Sequence, residues 1–106
     1  MILIGDVGGT HTEWMVLENG VSRTFKTIGV NLVHEKLSEF LRKVNKSLKP
    51  HSEAEQVYLY FAGLLDVPRQ RRNALNEIKK SFPKAKITIE NDLLGENDIQ
   101  RFEVNA

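Results

Sequence analysis

The feature that most constrains the fold is the dipeptide Asn19-Gly20, which lies between two segments rich in strand-forming residues. Both residues tolerate the positive φ angles that the central positions of a tight hairpin turn require. Residues 12–18 and 21–28 are therefore predicted to pair as antiparallel strands. Residues 1–7 precede them as an almost continuous apolar run, which is typical of a strand buried on both faces. The chain thus begins with three strands.

The middle of the chain changes to a helical period. Between residues 32 and 49, apolar side chains recur at i, i+3, i+4, i+7 and i+11 and end near Pro50, which places them on one face of a first helix: Leu37, Phe40, Leu41, Val44 and Leu48. Residues 56–62 are β-branched and aromatic and predict a fourth, buried strand, with Gly63 at its exit.

A second helix is predicted after this strand, with Asp66 as its N-cap and Pro68 in its first turn. Its expected apolar face is Ala74, Leu75, Ile78 and Phe82. Residues 86–91 alternate as a fifth strand that places Asp92 at its end. The pattern of residues 96–106 fits an irregular tail, a short helix or an added edge strand.

This order of elements predicts an α/β domain with the ribonuclease H-like arrangement over residues 1–106. A hairpin meander is followed by two crossovers that demand parallel strands. We expect a five-stranded sheet in the order 3-2-1-4-5, with strand 2 antiparallel to the others and helices on both faces. Ligands of open α/β sheets bind at the carboxyl ends of the strands, where Asp6, Gly63 and Asp92 are expected to meet.

Composition narrows the setting and the partners. A chain of 106 residues with a net charge of +1 has the balance of an ordinary globular domain, so we expect neither a nucleic-acid nor a membrane partner. The apolar start reaches Asp6 too soon for a signal peptide or a membrane span. The absence of cysteine favours a reducing compartment, and we expect a cytoplasmic protein.

The turn after the first strand carries the chemistry. Backbone N–H groups of a glycine-rich turn can bind a phosphate group, and threonine hydroxyls add donors, so Gly8, Gly9, Thr10 and Thr12 fit a phosphate loop. The carboxylate of Asp6 would be repelled by phosphate unless Mg²⁺ with its waters lies between them. The alternative is a tight turn in which Asp6 binds its own backbone.

The segment "IGDVGGTHTEWMVLENG" resembles the first phosphate motif of the superfamily of sugar kinases, actin and heat-shock chaperone ATPases. More narrowly, it is similar to the BadF/BadG/BcrA/BcrD ATPase family and its N-acetylglucosamine kinase members. Two further stretches agree with that family: Gly29-Val30-Asn31 after strand 3, and Asn91-Asp92-Leu93-Leu94-Gly95 after strand 5. The resemblance spans about residues 1–95.

The resemblance implies Mg²⁺ and ATP as cofactors and an amino sugar as substrate. It implies that Asp6 and residues 8–12 hold the ATP phosphates, that Asn31 contacts the sugar and that Asp92 takes the proton from the acceptor hydroxyl. Gly63 is expected to line the sugar pocket. The chain departs from the family pattern at Val7, at Phe61-Ala62-Gly63 and at His11, where a lysine or arginine is frequent.

Members of that family are about twice as long as this chain, since a second domain completes the cleft. The resemblance therefore implies a half-domain that catalyses poorly by itself. A variant has two copies associating as a homodimer through the face that normally meets the second domain.

Other functions remain open from the sequence. A Holliday-junction resolvase-like nuclease would use Asp6, Asp66 and Asp92 around metal ions, although it has no need of a glycine-threonine loop. A third hypothesis is an inert folded domain. Among single residues, Asn31 fits the N-cap of the first helix as well as a sugar contact, and Asp92 fits a turn or helix cap. Trp14 is expected in the core, and the basic residues of the second helix on its solvated face.

Overall fold

The computed structural model describes residues 1–32, 34–61 and 68–91, with the side chains of residues 68–70 and 91 left aside. Its elements follow the predicted order: β1 (Ile2–Val7), β2 (His11–Glu18), β3 (Val21–Ile28), α1 (Leu37–Leu48), a short 3₁₀ turn (Lys49–His51), β4 (Gln56–Phe61), α2 (Pro68–Ser81) and β5 (Lys86–Asn91). The strands form a single sheet in the order β3-β2-β1-β4-β5. The predicted α/β fold and sheet order are therefore confirmed.

The predicted hairpin turn joins β2 and β3. Asn19 and Gly20 have φ angles of 54° and 77°, the two positive values that such a two-residue turn requires. β2 pairs with both β1 and β3 in antiparallel register, whereas β4 lies parallel to β1 and β5 parallel to β4. Among the described strands, β2 alone is antiparallel to the others, as expected.

Both described helices pack on the same face of the sheet. Phe40 of α1 and Ile78 of α2 belong to one core cluster with Leu3 and Val57 of the central strands. The crossovers from β3 to β4 and from β4 to β5 step in the same direction across the sheet, and right-handed connections then place both helices on one side. We expected helices on both faces of the sheet. Within the described ranges the helices cover one face, and the part of the expectation that concerns the other face lies outside those ranges.

Trp14 lies at the centre of the helix-covered face. Its side chain is buried and stacks on Phe25 of the neighbouring strand, with ring centroids 6.1 Å apart. The indole Nε1–H donates a hydrogen bond of 2.8 Å to Thr27 Oγ1. On its other side Trp14 is in register with Gly5, where a Cβ atom would lie 2.6 Å from indole Cζ3. The absence of a side chain at Gly5 lets the indole pack over β1, and the predicted core position of Trp14 is confirmed.

The apolar faces of the helices agree with the sequence pattern except at one residue. Phe40, Leu41, Val44 and Leu48 are buried in α1, and Ala74, Ile78 and Phe82 are buried in or directly after α2. Leu75, also assigned to the apolar face of α2, is 37% exposed. Leu75 lies about 100° from Ala74 and about 60° from Ile78 around the helix axis, which places it at the edge of the buried stripe.

The basic residues of α2 were predicted to lie on a solvated face. Arg72, Lys79 and Lys80 are exposed, which agrees with that prediction. Two basic residues of α2 also bond to β5 or to the residue before it. An Arg71 guanidinium N–H donates to Ile89 O at 2.9 Å, and Lys79 Nζ donates to Ala85 O at 2.6 Å. Within the described ranges, neither helix is long and apolar enough to cross a membrane.

Replacing Gly5 by alanine should destabilise the fold, because the new methyl group would press on Trp14 Cζ3 and on Leu59 Cδ2, 2.6 and 2.8 Å away. Overpacking of this kind costs roughly 1–3 kcal/mol. Urea unfolding followed by tryptophan fluorescence measures the loss. Gly9→Ala is the matched control, because a Cβ atom there meets nothing within 4 Å; equal stability of the two variants would contradict the role given to Gly5.

Candidate functional site

The candidate site lies at the carboxyl edge of the parallel strands. Val7, the last residue of β1, is in register with Phe61 at the end of β4, and Phe61 with Asn91 at the end of β5. The three strand ends are therefore level, and the loop between β1 and β2 rises from the same edge. Gly63 and Asp92 lie outside the described residues, so their meeting with Asp6 stays a prediction.

The loop Gly8-Gly9-Thr10 is a tight connection between two paired strands. The Gly8 N–H donates to His11 O at 3.1 Å and closes the loop. A Cβ atom on Gly8 would lie 2.8 Å from that same oxygen. Gly9 and Thr10 are exposed, and within the described part of the chain no group accepts a hydrogen bond from their N–H groups. These two amides and the Thr10 hydroxyl are thus the donors that the loop offers to an anion.

A second segment braces this loop from the side. The Gly29 N–H donates to Thr10 O at 3.1 Å, and the Val30 N–H donates to Gly8 O at 2.9 Å. A Cβ atom at Gly29 would lie 2.1 Å from Gly8 O and 2.7 Å from His11 N, so only glycine permits this approach of two backbones. We call Gly29 and Val30 the brace. It fixes the loop without using the amides of Gly9 and Thr10.

The sequence pattern did not identify the brace. The sequence shows Gly29 only as part of a Gly-x-Asn stretch, and no local property of the sequence says which backbone segment Gly29 contacts. A glycine directly after a strand end, at a position with ordinary negative φ, is a signal of close backbone approach rather than of a turn.

Asp6 lies on the sheet face opposite Trp14, two residues before the loop. It is half-buried and in register with Glu13 of β2 and Tyr60 of β4. Glu13 is exposed, and its Oε1 lies 3.6 Å from Lys26 Nζ and 4.0 Å from His11 Nε2. Polar and ionisable groups thus form one transverse row on this face.

In the described ranges, no group of three histidine or acidic residues could hold a metal ion. The nuclease hypothesis also needs Asp66 and Asp92, which lie outside those ranges, and it stays a hypothesis.

Thr12 differs sharply from Thr10 in exposure. Its side chain is completely buried on the Trp14 face, and its hydroxyl has no hydrogen-bond partner among the described residues. Leaving such a hydroxyl unpaired costs roughly 1–3 kcal/mol. A direct contact between Thr12 and a phosphate would require the loop to move, so its predicted binding role stays a prediction while Thr10 is already at the surface.

Asn31 follows the brace and is exposed at the same edge. Its backbone N–H donates to Glu35 Oε1 at 3.1 Å, and its C=O accepts from the Glu35 N–H at 2.8 Å. The alternative prediction, that Asn31 is the N-cap of α1, is wrong, because α1 begins only at Leu37 and its N-cap is Lys36. The Asn31 C=O accepts from the N–H groups of both His34 and Glu35, before α1 begins. The predicted sugar contact of Asn31 is untested.

A cavity of about 410 Å³ lies at the opposite end of the sheet, between Met1, Arg23, Phe25 and His51. The imidazole of His51 stacks on Phe25 at 5.4 Å, and its Nδ1 is buried without a hydrogen-bond partner in the described residues. Burial, followed by the charge of Arg23, lowers the pKa of His51, while Glu18 opposes this shift. The cavity is remote from the loop and takes no part in the candidate site.

Comparison with known proteins gives a likeness among solved structures. No protein-family model matches the chain, and no curated protein sequence matches it. Among solved structures, the fold is similar to a provisionally named N-acetylglucosamine kinase from Porphyromonas gingivalis, with a TM-score of 0.71 and 28% sequence identity. The match covers 88% of this chain and 35% of that one. The chain therefore has a sugar-kinase-like fold and spans about a third of the length of this relative.

Replacing Gly29 by alanine should displace the loop, because the methyl group would overlap Gly8 O and break the brace. We expect a loss of roughly 1–3 kcal/mol in the free energy of unfolding, together with faster hydrogen exchange at the Val30 amide. Ile28→Ala is the control, since Ile28 is the preceding residue and 50% exposed. Unchanged exchange at Val30 in the Gly29 variant would rule out the brace.

The lowered pKa of His51 makes the stability depend on pH. Below about pH 6.5, the ordinary value for histidine, the unfolded chain takes up a proton at this residue that the folded chain binds less readily. The free energy of unfolding should therefore decrease as the pH falls from 7 towards 5. His51→Phe keeps an aromatic ring beside Phe25 and should lose part of this dependence. Identical pH profiles of the two proteins, measured by urea unfolding, would contradict this account.

Proposed function

We propose that the chain is the phosphate-binding part of an ATP-dependent sugar kinase related to the N-acetylglucosamine kinases of the BadF/BadG/BcrA/BcrD ATPase family. In this proposal the loop Gly8-Gly9-Thr10 holds the terminal phosphates of ATP. The substrate is an amino sugar whose hydroxyl receives the phosphoryl group. The likeness to a sugar-kinase-like structure supports the lineage.

The observation that carries the proposal is the pair of exposed amides at Gly9 and Thr10. They stand at the carboxyl edge of a central strand, the usual ligand position in open α/β sheets. Hydrogen bonds from backbone N–H groups suit phosphate oxygens because they bring positive dipoles without side-chain bulk. The open space above Gly9, where a Cβ atom would meet nothing within 4 Å, leaves room for a phosphate group.

Asp6 is the residue that we assign to Mg²⁺, through a bound water molecule. Asp6 is half-buried and lies two residues before the loop, so a hydrated cation between acid and phosphate would relieve their repulsion. When bound, Mg²⁺ would neutralise charge that develops on the transferring phosphoryl group. The ligand set from this chain is small, which fits a cation held mainly by water and phosphate oxygens.

The acceptor side of the proposed site uses residues that the family resemblance indicates. Asn31 would contact the amino sugar, and its position directly after the brace supports this role, since the brace ties it to the loop. Gly63 would line the sugar pocket, and Asp92 would accept the proton from the sugar hydroxyl. A carboxylate can act as this base only within hydrogen-bond reach of that hydroxyl.

Phosphoryl transfer also needs groups that clamp the nucleotide from the other side of a cleft. The related crystal structure matches this chain over 35% of its length, so we propose that a further lobe completes the site. A second copy of the chain is the alternative source of that lobe. The cysteine-free sequence supports a cytoplasmic setting for both arrangements.

Thr10→Val and Asp6→Asn should each weaken the binding of Mg·ATP, the first by removing a phosphate donor and the second by removing the carboxylate for the hydrated cation. We expect a loss of roughly tenfold for each, in the range of a hydrogen bond to a charged group. Isothermal titration calorimetry measures affinity, and light scattering of the same samples reports whether nucleotide promotes a dimer.

Thr24→Val is the matched control, because Thr24 is an exposed threonine of β3 far from the loop. Amide chemical shifts of residues 8–10 locate the binding. The proposal is wrong if ATP binds without changing the amide chemical shifts of these residues. It is also wrong if the wild-type chain does not bind ATP. Hydrolysis of branched DNA with Mn²⁺ by the wild-type chain would favour the nuclease instead.

A further inference from the structure

His11 directly follows the loop, and its imidazole contacts the one side chain of the loop that could donate to phosphate. His11 Nδ1 lies 3.3 Å from Thr10 Oγ1. On the other side of the ring, Nε2 lies 4.0 Å from Glu13 Oε1. The imidazole therefore lies between a hydroxyl that can bind an anion and a carboxylate that repels one.

The protonation of His11 decides what the Thr10 hydroxyl can do. A hydroxyl has a single hydrogen to donate, and a neutral imidazole has one donor and one acceptor nitrogen. The carboxylate of Glu13 favours the hydrogen on Nε2, because a lone pair there would face negative charge. Nδ1 then accepts a hydrogen bond from the Thr10 hydroxyl. In this state the hydroxyl must break its hydrogen bond to Nδ1 before it can donate to a phosphate oxygen.

Protonation of the ring reverses this hydrogen bond. An imidazolium donates from both nitrogens, so Nδ1–H donates to Thr10 Oγ1 and Nε2–H points towards Glu13. The hydrogen of Thr10 is then free to donate to an anion, and the ring adds a positive charge beside the loop. Both changes strengthen the binding of a phosphate group.

We propose that His11 controls phosphate binding at the loop. Protonation of the imidazole releases the hydroxyl hydrogen of Thr10 from Nδ1, so that it can donate to a phosphate oxygen. This inference rests on the proposed phosphate-binding role of the loop. It assigns to His11 the positive charge that a lysine or arginine at this position would supply permanently. The consequence is an affinity for anions that is higher when the imidazole of His11 carries a proton than when it is neutral.

The charged groups around the ring lie on three adjacent strands. Glu13 is on the same strand, two residues away. Lys26 of β3 forms an ion pair with Glu13 at 3.6 Å and so shares its carboxylate with the imidazole. Asp6 of β1 is in register with Glu13 on the same face. The register partner of His11 itself is Ile28, which carries no charge. The charged groups near the ring are therefore two acids and one lysine.

The test uses sulfate as the probe, because sulfate does not change its charge between pH 5.5 and 8 whereas the phosphates of ATP do. Sulfate is titrated into the whole chain at several pH values, and the amide shifts of Gly9 and Thr10 give its affinity. We expect wild type to bind roughly two- to fivefold more tightly at pH 5.5 than at pH 8, the range for one exposed charge contact. His11→Gln should bind weakly and with no such dependence.

Two further variants sharpen the result. His11→Lys keeps a cation at every pH and should bind tightly at pH 8 without the rise on acidification. His34→Gln removes another exposed histidine and should keep the wild-type profile. If His11→Gln retains the wild-type profile, the inference is overturned while the loop remains an anion site. If sulfate shifts neither Gly9 nor Thr10 at any pH, the proposed function fails together with the inference.

The tautomer of His11 gives a readout that does not depend on a ligand. Long-range ¹H–¹⁵N correlation of the imidazole at pH 8 should show the hydrogen on Nε2 in wild type. In Glu13→Gln, the preference for this tautomer should decrease because the carboxylate is gone. A hydrogen predominantly on Nδ1 in wild type would overturn the proposal, since Thr10 would then be free to donate without protonation of the ring.

Discussion

The approach of Gly29 to the backbone of the β1–β2 loop is the contact on which the candidate site depends. Two hydrogen bonds, from Gly29 to Thr10 and from Val30 to Gly8, hold the loop against the end of β3. The separation of 2.1 Å between a Gly29 Cβ atom and Gly8 O leaves no space for any other residue. The loop is therefore fixed by residues about twenty positions away in sequence, and its amides are oriented before any ligand arrives.

The two faces of the sheet carry different side chains. The face with Trp14 carries both described helices and most of the buried apolar side chains, and Gly5 makes room for the indole. The opposite face carries Asp6 and Glu13 near the loop, with a smaller cluster around Ile4 and Met15 further from it. The candidate site thus includes polar side chains of one face, while the other face stabilises the strands that position the site. Alternation of side chains along each strand produces this division directly.

Local patterns in the sequence were enough to predict most of the fold. Asn19-Gly20 required a hairpin, β5 occupies the predicted residues 86–91, and the order of elements required parallel crossovers. Predictions were weaker where two elements meet. Leu75 has the right residue type for the core but lies at the edge of the buried stripe of α2, and α1 begins five residues later than a cap at Asn31 would place it. Only tertiary packing settles such boundaries.

The candidate site shows the same limit more clearly. Glycines and threonines predicted an anion loop, yet the sequence could not say that the Gly8 amide is used within the loop or that Thr12 is buried. Both facts follow from strand pairing, which puts Thr12 opposite Val7 on the helix-covered face. The donors are consequently fewer than the motif implies: two amides and one hydroxyl, the last of them held by His11. In the proposed function, a loop with so few donors would not neutralise a triphosphate alone, so its affinity for ATP would depend on added positive charge. A hydrated cation near Asp6, the imidazolium of His11 and a second lobe are three sources of it.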